Sequence, residues 1–393
     1  MLILISYIVL FFITIKMGFE KVRNGIRIMK DVFRALKIQK KLTELNLDAF
    51  VCTNPVNIFY LTNFSGSSGV AVITPEKVYI ITDFRYFEQV EKESPQAILI
   101  KQNDLLSGDK CLIKFLIDLD IKRIGFEANN VSVQRFNYWK DELPRKIELV
   151  SMVDLVEDIA MIKDEDEIIL IRKSADIVSK ALIQTFDIIK PGIKERDVIA
   201  ELNYNIMKQG GDGISFDTIV ASGWRGALPH ASINDKIIND NEFIVIDCGA
   251  RYCGYSSDIT RTVILSEPTE EQRRIWDIVL RAQTEAIKSV RPGIELSELD
   301  GIARKIIQDE GFGENFGHGL GHGVGLSVHT KPRLGKTAKG KLQEGMVLTI
   351  EPGIYLTDKE GVRIEDMILI TSDGCEVLTN VPKKMVIGER RFL

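Results

Sequence analysis

The amino-acid sequence predicts a mixed α/β (α+β) protein of two domains, the second built from two similar, pseudo-twofold halves. Its 393 residues suffice for two or three domains at ~150 residues each. Strand-like and helix-like segments alternate in the first part, and the composition changes at the charged run that begins with Lys163. Lys190-Pro-Gly-Ile then recurs as Arg291-Pro-Gly-Ile, each time between a long helix and a shorter one. The repeat indicates two halves that face each other, with chance recurrence as the alternative.

Composition and charge exclude several classes of protein. Hydrophobic residues make up 45% and charged residues 27% of the chain, as in ordinary soluble globular proteins. A net charge of −5 gives no electrostatic footprint for nucleic acid. The 5 cysteines are scattered and lack a Cys-x-x-Cys pair, which argues against disulfides and thiolate metal sites. We therefore expect a cytoplasmic protein with no nucleic-acid partner.

Residues 1–28 form an apolar and then basic N-terminal extension. The uncharged run Met1–Ile15 is shorter than the ~20 residues that a spanning helix needs. The segment also lacks the charge order and cleavage site of a secretory signal. We interpret it as a stretch upstream of a native start at Met29. The alternative is a membrane anchor that keeps the globular part on the cytoplasmic side.

The N-terminal domain is predicted to span residues 29–157. Apolar spacing from Asp31 is helical, and Asp83 begins a further helix. Between them lie three strand-like runs: Ala49–Cys52, Val70–Thr74 and Val78–Thr82. Because strands and helices continue to alternate up to about Leu149, we assign this region to one α/β domain.

The second domain is predicted to span residues 158–393. Its first long helix runs from Lys163 to about Lys190, with an acidic first turn that suits the helix dipole. Pro191 and Gly192 end that helix, and a shorter one follows from about Glu195 to Lys208. A cleft between the two halves is the natural place for a ligand.

The stretch Gly317–Thr330 holds most of the histidines. It contains His318, His322 and His329, and the remaining histidine, His230, lies in another loop-like segment. Its glycines cost ~1 kcal/mol each in a helix, so the helical His-Glu-x-x-His zinc motif is excluded. Glycines instead allow the backbone to approach another group closely. We therefore favour a functional loop over a glycine-rich connection with incidental histidines.

Carboxylates end or interrupt several apolar strand patterns. Asp247 ends one such run, and Asp258 lies in the next, beyond a turn bracketed by glycines. The two aspartates can therefore meet across a hairpin. Strand alternation turns Cys248 away from Asp247 and into the core. Later strand patterns carry Glu351, after Val347–Ile350, and Glu365, within one run from Gly361 to Ile370. Arg363 should share a face with Glu365.

Buried carboxylates are costly unless they are paired or bound to metal. A single one could be a structural acid, whereas four would neutralise two divalent ions. Oxygen-rich sites with one imidazole suit manganese, with cobalt, iron or zinc as alternatives. Two such ions can hold and ionise a bridging water for hydrolysis.

These residues closely resemble the motifs of the pita-bread metallopeptidase family, which includes aminopeptidase P, prolidase and methionine aminopeptidase. The resemblance runs from about Met29 to the C-terminus. It implies a pita-bread catalytic domain in which Asp258 and Glu365 bridge two divalent ions. The implied metal ligands are Asp247, Asp258, His322, Glu351 and Glu365.

The resemblance also implies roles around the metals. Glu351 would take up the proton of the attacking water, and His329 would donate to the carbonyl oxygen of the tetrahedral intermediate. Arg363 would hold the bridging carboxylates. His230 and His318 would line the substrate pocket, and His230 is counted with the catalytic residues. Arg333 is a candidate partner for a substrate carboxylate, or else a solvated surface arginine.

The N-terminal domain narrows the expected activity. Asn57-Ile-Phe-Tyr-Leu-Thr-Asn and Thr82-Asp-Phe-Arg-Tyr look like the extra domain of aminopeptidase P and prolidase, which methionine aminopeptidases lack. We expect a homodimeric Xaa-Pro aminopeptidase that acts on short peptides with proline at the second position, dipeptides included. The alternatives are a strict Xaa-Pro dipeptidase and a catalytically silent binding protein of the same fold.

Overall fold

The computed structural model describes residues 34–103, 105 and 108–387. The chain divides into two compact units, Met1–Ile159 and Ala160–Leu393. Our expectations for residues 1–28 lie outside the described residues. Within the described ranges, no helix is both long and apolar enough to cross a membrane.

The first unit is a mixed six-stranded sheet with helices. Its strands lie in the order β4-β3-β2-β1-β5-β6. The β1–β5, β5–β6 and β3–β4 pairs are parallel, and β2 runs antiparallel to both of its neighbours. All residues of the inner strand β1 are buried, as expected where a sheet is covered on both faces. The strands are β1 Ala49–Cys52, β2 Val70–Ile73, β3 Val78–Thr82, β4 Ile98–Lys101, β5 Arg123–Glu127 and β6 Glu148–Met152.

Most helices of this unit connect consecutive strands, and one helix lies at each end of the sheet's sequence. Helix α2 begins with Pro55 behind an N-cap at Asn54, whose side chain accepts from the Val56 amide at 3.0 Å. The predicted helix at Asp83 starts as a short 3-10 turn, Phe84–Tyr86, before α3. The helices are α1 34–44, α2 Pro55–Thr62, α3 Phe87–Glu93, α4 Asp109–Asp118, α5 Val133–Glu142 and α6 Leu155–Ala160.

The first half of the second unit packs two helices on a small antiparallel sheet. A capping box formed by Asp164 and Glu167 starts its long helix. That helix ends at Phe186, slightly before the predicted end. Strands β8, β9 and β12 form a sheet of order β12-β9-β8, and β7, β10 and β11 form a second one. The elements are α7 Glu165–Phe186, α8 Glu195–Lys208, β7 Gly213–Ile214, β8 Ile219–Ser222, β9 Ile244–Cys248, β10 Ala250–Tyr252, β11 Tyr255–Ser256 and β12 Ile259–Val263.

The second half repeats this arrangement and extends it. Its main sheet has the order β14-β13-β15-β18-β19, so β13-β15-β18 corresponds to β8-β9-β12 of the first half. Strands β16 and β17 form a separate pair. The elements are α9 Glu270–Ser289, α10 Leu296–Asp309, β13 Gly321–Gly323, β14 Thr330–Leu334, β15 Val347–Ile350, β16 Gly353–Leu356, β17 Glu360–Arg363, β18 Asp366–Ile370 and β19 Cys375–Val377.

Hydrogen bonds around the two Pro-Gly-Ile turns confirm the predicted repeat. In each half the amide of the glycine donates to a carbonyl in a returning segment, and that segment donates back to the isoleucine. The bonds are Gly192 N to Ile238 O at 2.9 Å and Ile238 N to Ile193 O at 2.8 Å, then Gly293 N to Leu342 O at 2.8 Å and Leu342 N to Ile294 O at 3.0 Å. The two halves therefore share their local connections as well as their strand order.

One predicted strand is wrong. The apolar run from Gly361 to Ile370 forms two strands in different sheets, β17 and β18. The chain changes sheets at Ile364 and Glu365, where the Glu365 amide donates to the Thr260 carbonyl at 3.1 Å. Glu365 therefore lies at a junction between the two halves rather than in the middle of a strand.

Candidate metal centre and active site

The first half brings Asp247 and Asp258 to one end of its sheet. Strands β9 and β12 are antiparallel, with Asp247 opposite Thr260 and Cys248 opposite Ile259. Asp258 immediately precedes β12. Strands β10 and β11 form an additional hairpin between β9 and β12. Asp247 and Asp258 are therefore connected by this hairpin rather than by the simple turn that we predicted. Cys248 is fully buried in the apolar core, as the strand alternation predicts.

The second half places His322, Glu351 and Glu365 at the equivalent end of its sheet. His322 lies in the middle of β13, and its amide donates to Thr349 Oγ1 at 3.1 Å. That hydroxyl donates in turn to Glu351 Oε1 at 3.1 Å. The flanking glycines are required here, because a Cβ atom at Gly321 would lie 2.0 Å from the Thr349 carbonyl oxygen. Close strand packing therefore explains part of the glycine pattern.

One cavity of about 610 Å³ collects the predicted site residues. Its lining includes all of them: His230, Asp247, Asp258, His318, His322, His329, Arg333, Glu351, Arg363 and Glu365. Most of this set comes from loops and strand ends, as expected for a site held on a rigid scaffold.

Three buried side chains converge closely enough to share one cation. One ligand atom from each of Asp258, His322 and Glu365 lies within 4.8 Å of the others. His322 Nε2 is 3.6 Å from Asp258 Oδ2 and 3.2 Å from Glu351 Oε1. His322 Nδ1 donates to the Gly323 carbonyl at 3.1 Å, which leaves Nε2 to face the carboxylates.

Burial and repulsion between like charges disfavour the ionised forms of Asp258 and Glu365. Burial, followed by the charge of Glu365, raises the pKa of Asp258 well above its usual range. Burial and the charge of Glu351 raise the pKa of Glu365 in the same way. Within the described part of the chain, Asp247 Oδ1 is buried and has no hydrogen-bond partner. These features fit a centre that binds divalent ions, whose charge would reverse both pKa shifts.

The pKa values of Glu351 and His322 shift in the directions that favour their charged forms. Burial alone would raise the pKa of Glu351, but the His322 hydrogen bond and charge outweigh burial and lower it. Burial alone would lower the pKa of His322, and the hydrogen bond to Glu351 and its charge reverse that shift.

Arg363 forms an ion pair with Asp247, whereas the resemblance implied that it holds the bridging carboxylates Asp258 and Glu365. Its Nη2 donates to Asp247 Oδ2 at 2.7 Å, and its Nε donates to Thr260 Oγ1 at 3.0 Å. The Thr260 hydroxyl then donates to Glu365 Oε2 at 2.7 Å. Arg363 therefore supports Asp247 directly and Glu365 only through Thr260. Arg363 and Glu365 line the same cavity, as the predicted shared face requires. Sequence reasoning missed Thr260, although strand alternation from Asp258 places it on the same face.

The ring nitrogens of His318 are both engaged within the protein. Nδ1 lies 2.8 Å from the Gly319 carbonyl oxygen, and Nε2 lies 2.9 Å from the Tyr355 hydroxyl. Arg363 also donates to that hydroxyl, at 2.9 Å. Burial lowers the pKa of His318, which favours the neutral ring. His318 therefore lines the cavity with both ring nitrogens already hydrogen-bonded, and Tyr355, which sequence reasoning missed, fixes its orientation.

His329, His230 and Arg333 are exposed to solvent in the cavity. The ring of His329 lies 4.3 Å from that of His322, measured between centroids. Burial and the charge of His322 lower the pKa of His329. His230 is exposed at the cavity wall, and Arg333 is exposed on β14 opposite His322.

Comparison with known families identifies the fold. The model of metallopeptidase family M24 matches residues 169–372. The chain belongs to this metallopeptidase family. The model of the creatinase/prolidase N-terminal domain matches residues 34–162. The second unit is thus the pita-bread domain, and the protein is a metallopeptidase that uses divalent metal ions.

Named relatives extend over most of the chain. A Xaa-Pro dipeptidase of Pyrococcus horikoshii is 39% identical over 356 residues, 89% of this chain and 97% of its own length. The solved Xaa-Pro dipeptidase of Bacillus anthracis is 36% identical with a TM-score of 0.86, covering 92% of this chain and 100% of that one. The solved X-Pro aminopeptidase of Thermotoga maritima is 37% identical with a TM-score of 0.81, covering 87% of this chain and 98% of that one.

Proposed function

We propose that the protein is a dinuclear metal-dependent exopeptidase that hydrolyses the Xaa-Pro bond at peptide N-termini, dipeptides included. The convergence of four predicted carboxylate ligands and four histidines on one cavity is the observation that carries this proposal. The relatives named Xaa-Pro dipeptidase and X-Pro aminopeptidase support the same substrate class.

Five side chains are the proposed metal ligands. Asp258 and Glu365 would bridge two ions, with manganese as the expected metal. The remaining ligands would be Asp247, His322 and Glu351. When bound, the ions would supply Lewis acidity and lower the pKa of water at the site. Four carboxylates would balance the charge of two divalent ions.

Glu351 and His329 are the proposed proton-handling residues. The lowered pKa of Glu351 keeps it ionised near neutral pH, so that it can accept the proton of the attacking water. The lowered pKa of His329 favours the neutral ring, which can still donate one hydrogen bond to the carbonyl oxygen.

The cavity wall suits a substrate with proline after the scissile bond. The X-Pro amide has no N–H to donate and a fixed φ, so recognition has to use shape and the carbonyl. The face of the neutral His318 ring can pack on the pyrrolidine, with His230 beside it on the wall. A free α-amine would be attracted to the carboxylate-rich end of the cavity, which restricts cleavage to the first residue.

A strict dipeptidase is the second candidate. Arg333 lines the same cavity and is exposed, so it could receive the C-terminal carboxylate of a dipeptide. Several relatives are named Xaa-Pro dipeptidase, which also favours this reading. The two candidates share the metal centre and differ only in whether residues beyond proline are tolerated.

Steady-state kinetics with defined Mn²⁺ tests the proposal. We expect Ala-Pro to be cleaved, and Ala-Ala to have a kcat/KM lower by at least roughly tenfold, which is ~1.4 kcal/mol in the transition state. Hydrolysis of Ala-Pro-Ala separates the candidates, because a strict dipeptidase leaves it intact. Equal rates on Ala-Pro and Ala-Ala would refute the proline preference, and rapid release of methionine from Met-Ala-Ala would indicate methionine aminopeptidase activity. Full metal occupancy without hydrolysis would indicate a silent member of the fold.

A further inference from the structure

Asp366 lies directly behind the proposed metal centre and is not one of its ligands. It follows Glu365 in the chain, but unlike Glu365 it does not line the cavity. Its carboxylate is fully buried. Four side chains donate to it: Arg261 Nη2 at 2.7 Å, Thr379 Oγ1 at 2.8 Å, Gln283 Nε2 at 2.9 Å and Lys383 Nζ at 2.7 Å. A carboxylate with this many donors holds all of them in place.

Arg261 connects this carboxylate to the backbone of the centre. Its Nη1 donates to the carbonyl oxygen of Glu365 at 2.5 Å and to that of Thr260 at 3.0 Å. Its Nη2, besides binding Asp366, donates to the Val381 carbonyl at 2.8 Å. The guanidinium is buried and planar, so these bonds fix the backbone on both sides of the cluster.

These contacts join the two halves of the second unit. Arg261 lies on β12 of the first half, whereas Asp366 on β18 and Gln283 on α9 belong to the second half. The C-terminal segment contributes Lys383, whose Nζ also donates to Gln283 Oε1 at 3.0 Å. We call Arg261, Asp366, Gln283 and Lys383 the seam anchor.

The proposed ligands are divided between the same two halves. Asp258 comes from the first half, and His322 and Glu365 come from the second. Their ligand atoms can converge only if the two halves keep their relative position. Two members of the seam anchor lie on the strands that directly follow the proposed bridging carboxylates, Arg261 on β12 and Asp366 on β18.

We propose that the seam anchor sets the affinity of the centre for divalent ions by fixing Asp258 and Glu365 relative to each other. Its members are positioning residues that act through the backbone of Glu365 and Thr260. The inference rests on the proposed dinuclear centre and adds residues that do not contact the metals. Lys383 is the informative member because its side chain is 28% exposed, so its replacement leaves the buried Arg261–Asp366 pair intact.

Removal of a group that hydrogen-bonds directly to a metal ligand typically weakens metal binding by ~10–100-fold. Lys383 acts further from the ligands, so we expect an effect at the lower end of this range. We expect Lys383→Met to raise the Kd for Mn²⁺ by about tenfold, measured calorimetrically on chelator-treated full-length protein. The Co²⁺ absorption spectrum should change as well, because it reports ligand geometry. Lys383→Arg keeps the charge and should recover most of the affinity. Lys341→Met removes an exposed lysine that lies 3.4 Å from Glu295 on the same unit and should leave the Kd unchanged.

An unchanged Kd and Co²⁺ spectrum in Lys383→Met would overturn the inference. Equal loss of affinity in Lys383→Met and Lys341→Met would also overturn it, since the effect would then be one of net charge. Asp366→Asn offers a second variant and should weaken binding at least as much as Lys383→Met. A wild-type protein that binds two ions but does not cleave Ala-Pro would refute the proposed substrate. That result would not affect the proposed role of the seam anchor in metal binding. A wild-type protein that binds no ions would refute both.

Discussion

Burial of the Lys163 amine lowers the free energy of unfolding, and this effect should depend on pH. The residue precedes α7, its side chain is buried, and its Nζ donates to the Met161 carbonyl at 3.2 Å. Burial lowers its pKa to about 8, and the charge of Glu167 offsets burial only in part. An amine in an unfolded chain titrates near ~10.4. Folding therefore favours the neutral amine.

The sign and size of the effect follow from this difference. Each pKa unit corresponds to ~1.4 kcal/mol, so the shift costs the folded state about 3 kcal/mol when the amine is charged. Below pH 8 both states are protonated and the full cost is present. Between pH about 8 and ~10.4, the unfolded chain keeps the proton that the folded chain has already lost. The free energy of unfolding therefore increases as the pH rises through this window.

Lys163→Met removes the charge and keeps an unbranched side chain. The lost hydrogen bond to Met161 is worth ~1 kcal/mol, so we expect a net stabilisation of roughly 2 kcal/mol at pH 7. This advantage over wild type should shrink as the pH rises above about 8 and vanish near pH ~9.5. Above pH ~10.4 only the lost hydrogen bond remains, so the variant should be the less stable protein by ~1 kcal/mol. Urea unfolding of both proteins at several pH values measures it, with the exposed Lys173→Met on α7 as the control. A variant that is less stable at pH 7, or a difference that does not change with pH, would refute the reasoning.

Two further predictions concern the centre itself. His329→Ala should keep its metals and lose turnover by ~10²–10³-fold, the usual effect of removing a transition-state donor; near-wild-type kcat on Ala-Pro would remove His329 from the mechanism. Asp258→Asn and Glu365→Gln should each bind well under two ions per chain by metal analysis after dialysis, whereas full occupancy in either variant would contradict the bridging assignment.

Several parts of the site could be predicted because their signals are local. The Pro-Gly-Ile repeat, the strand-terminal Asp247 and Glu351, and the glycines around His322 each involve neighbouring residues. In such cases strand alternation and glycine geometry decide where a side chain points. The same rules correctly separated Cys248 from the carboxylates.

Other parts could not be read from local patterns. Arg363 has Asp247 as its partner only because β9 and β17 lie near each other in the folded unit. The hydroxyls of Thr260 and Tyr355 acquire their roles from partners distant in sequence. The break at Ile364 is equally non-local, since an apolar run gives no sign that its two ends join different sheets.

The repeat also explains why the proposed ligand set is asymmetric. Asp247 and Glu351 occupy corresponding positions, because each lies at the end of the central strand of its half. The Ile219–Asp247 pairing in the first half matches the hydrogen bond from the Glu351 amide to the Leu320 carbonyl in the second.

From that correspondence, Ala221 on β8 stands where His322 stands on β13. The first half therefore supplies carboxylates alone, whereas the second adds an imidazole and the glycines that let its strand approach Thr349. One difference within a shared scaffold, rather than a difference in fold, thus makes the two sides of the centre chemically distinct.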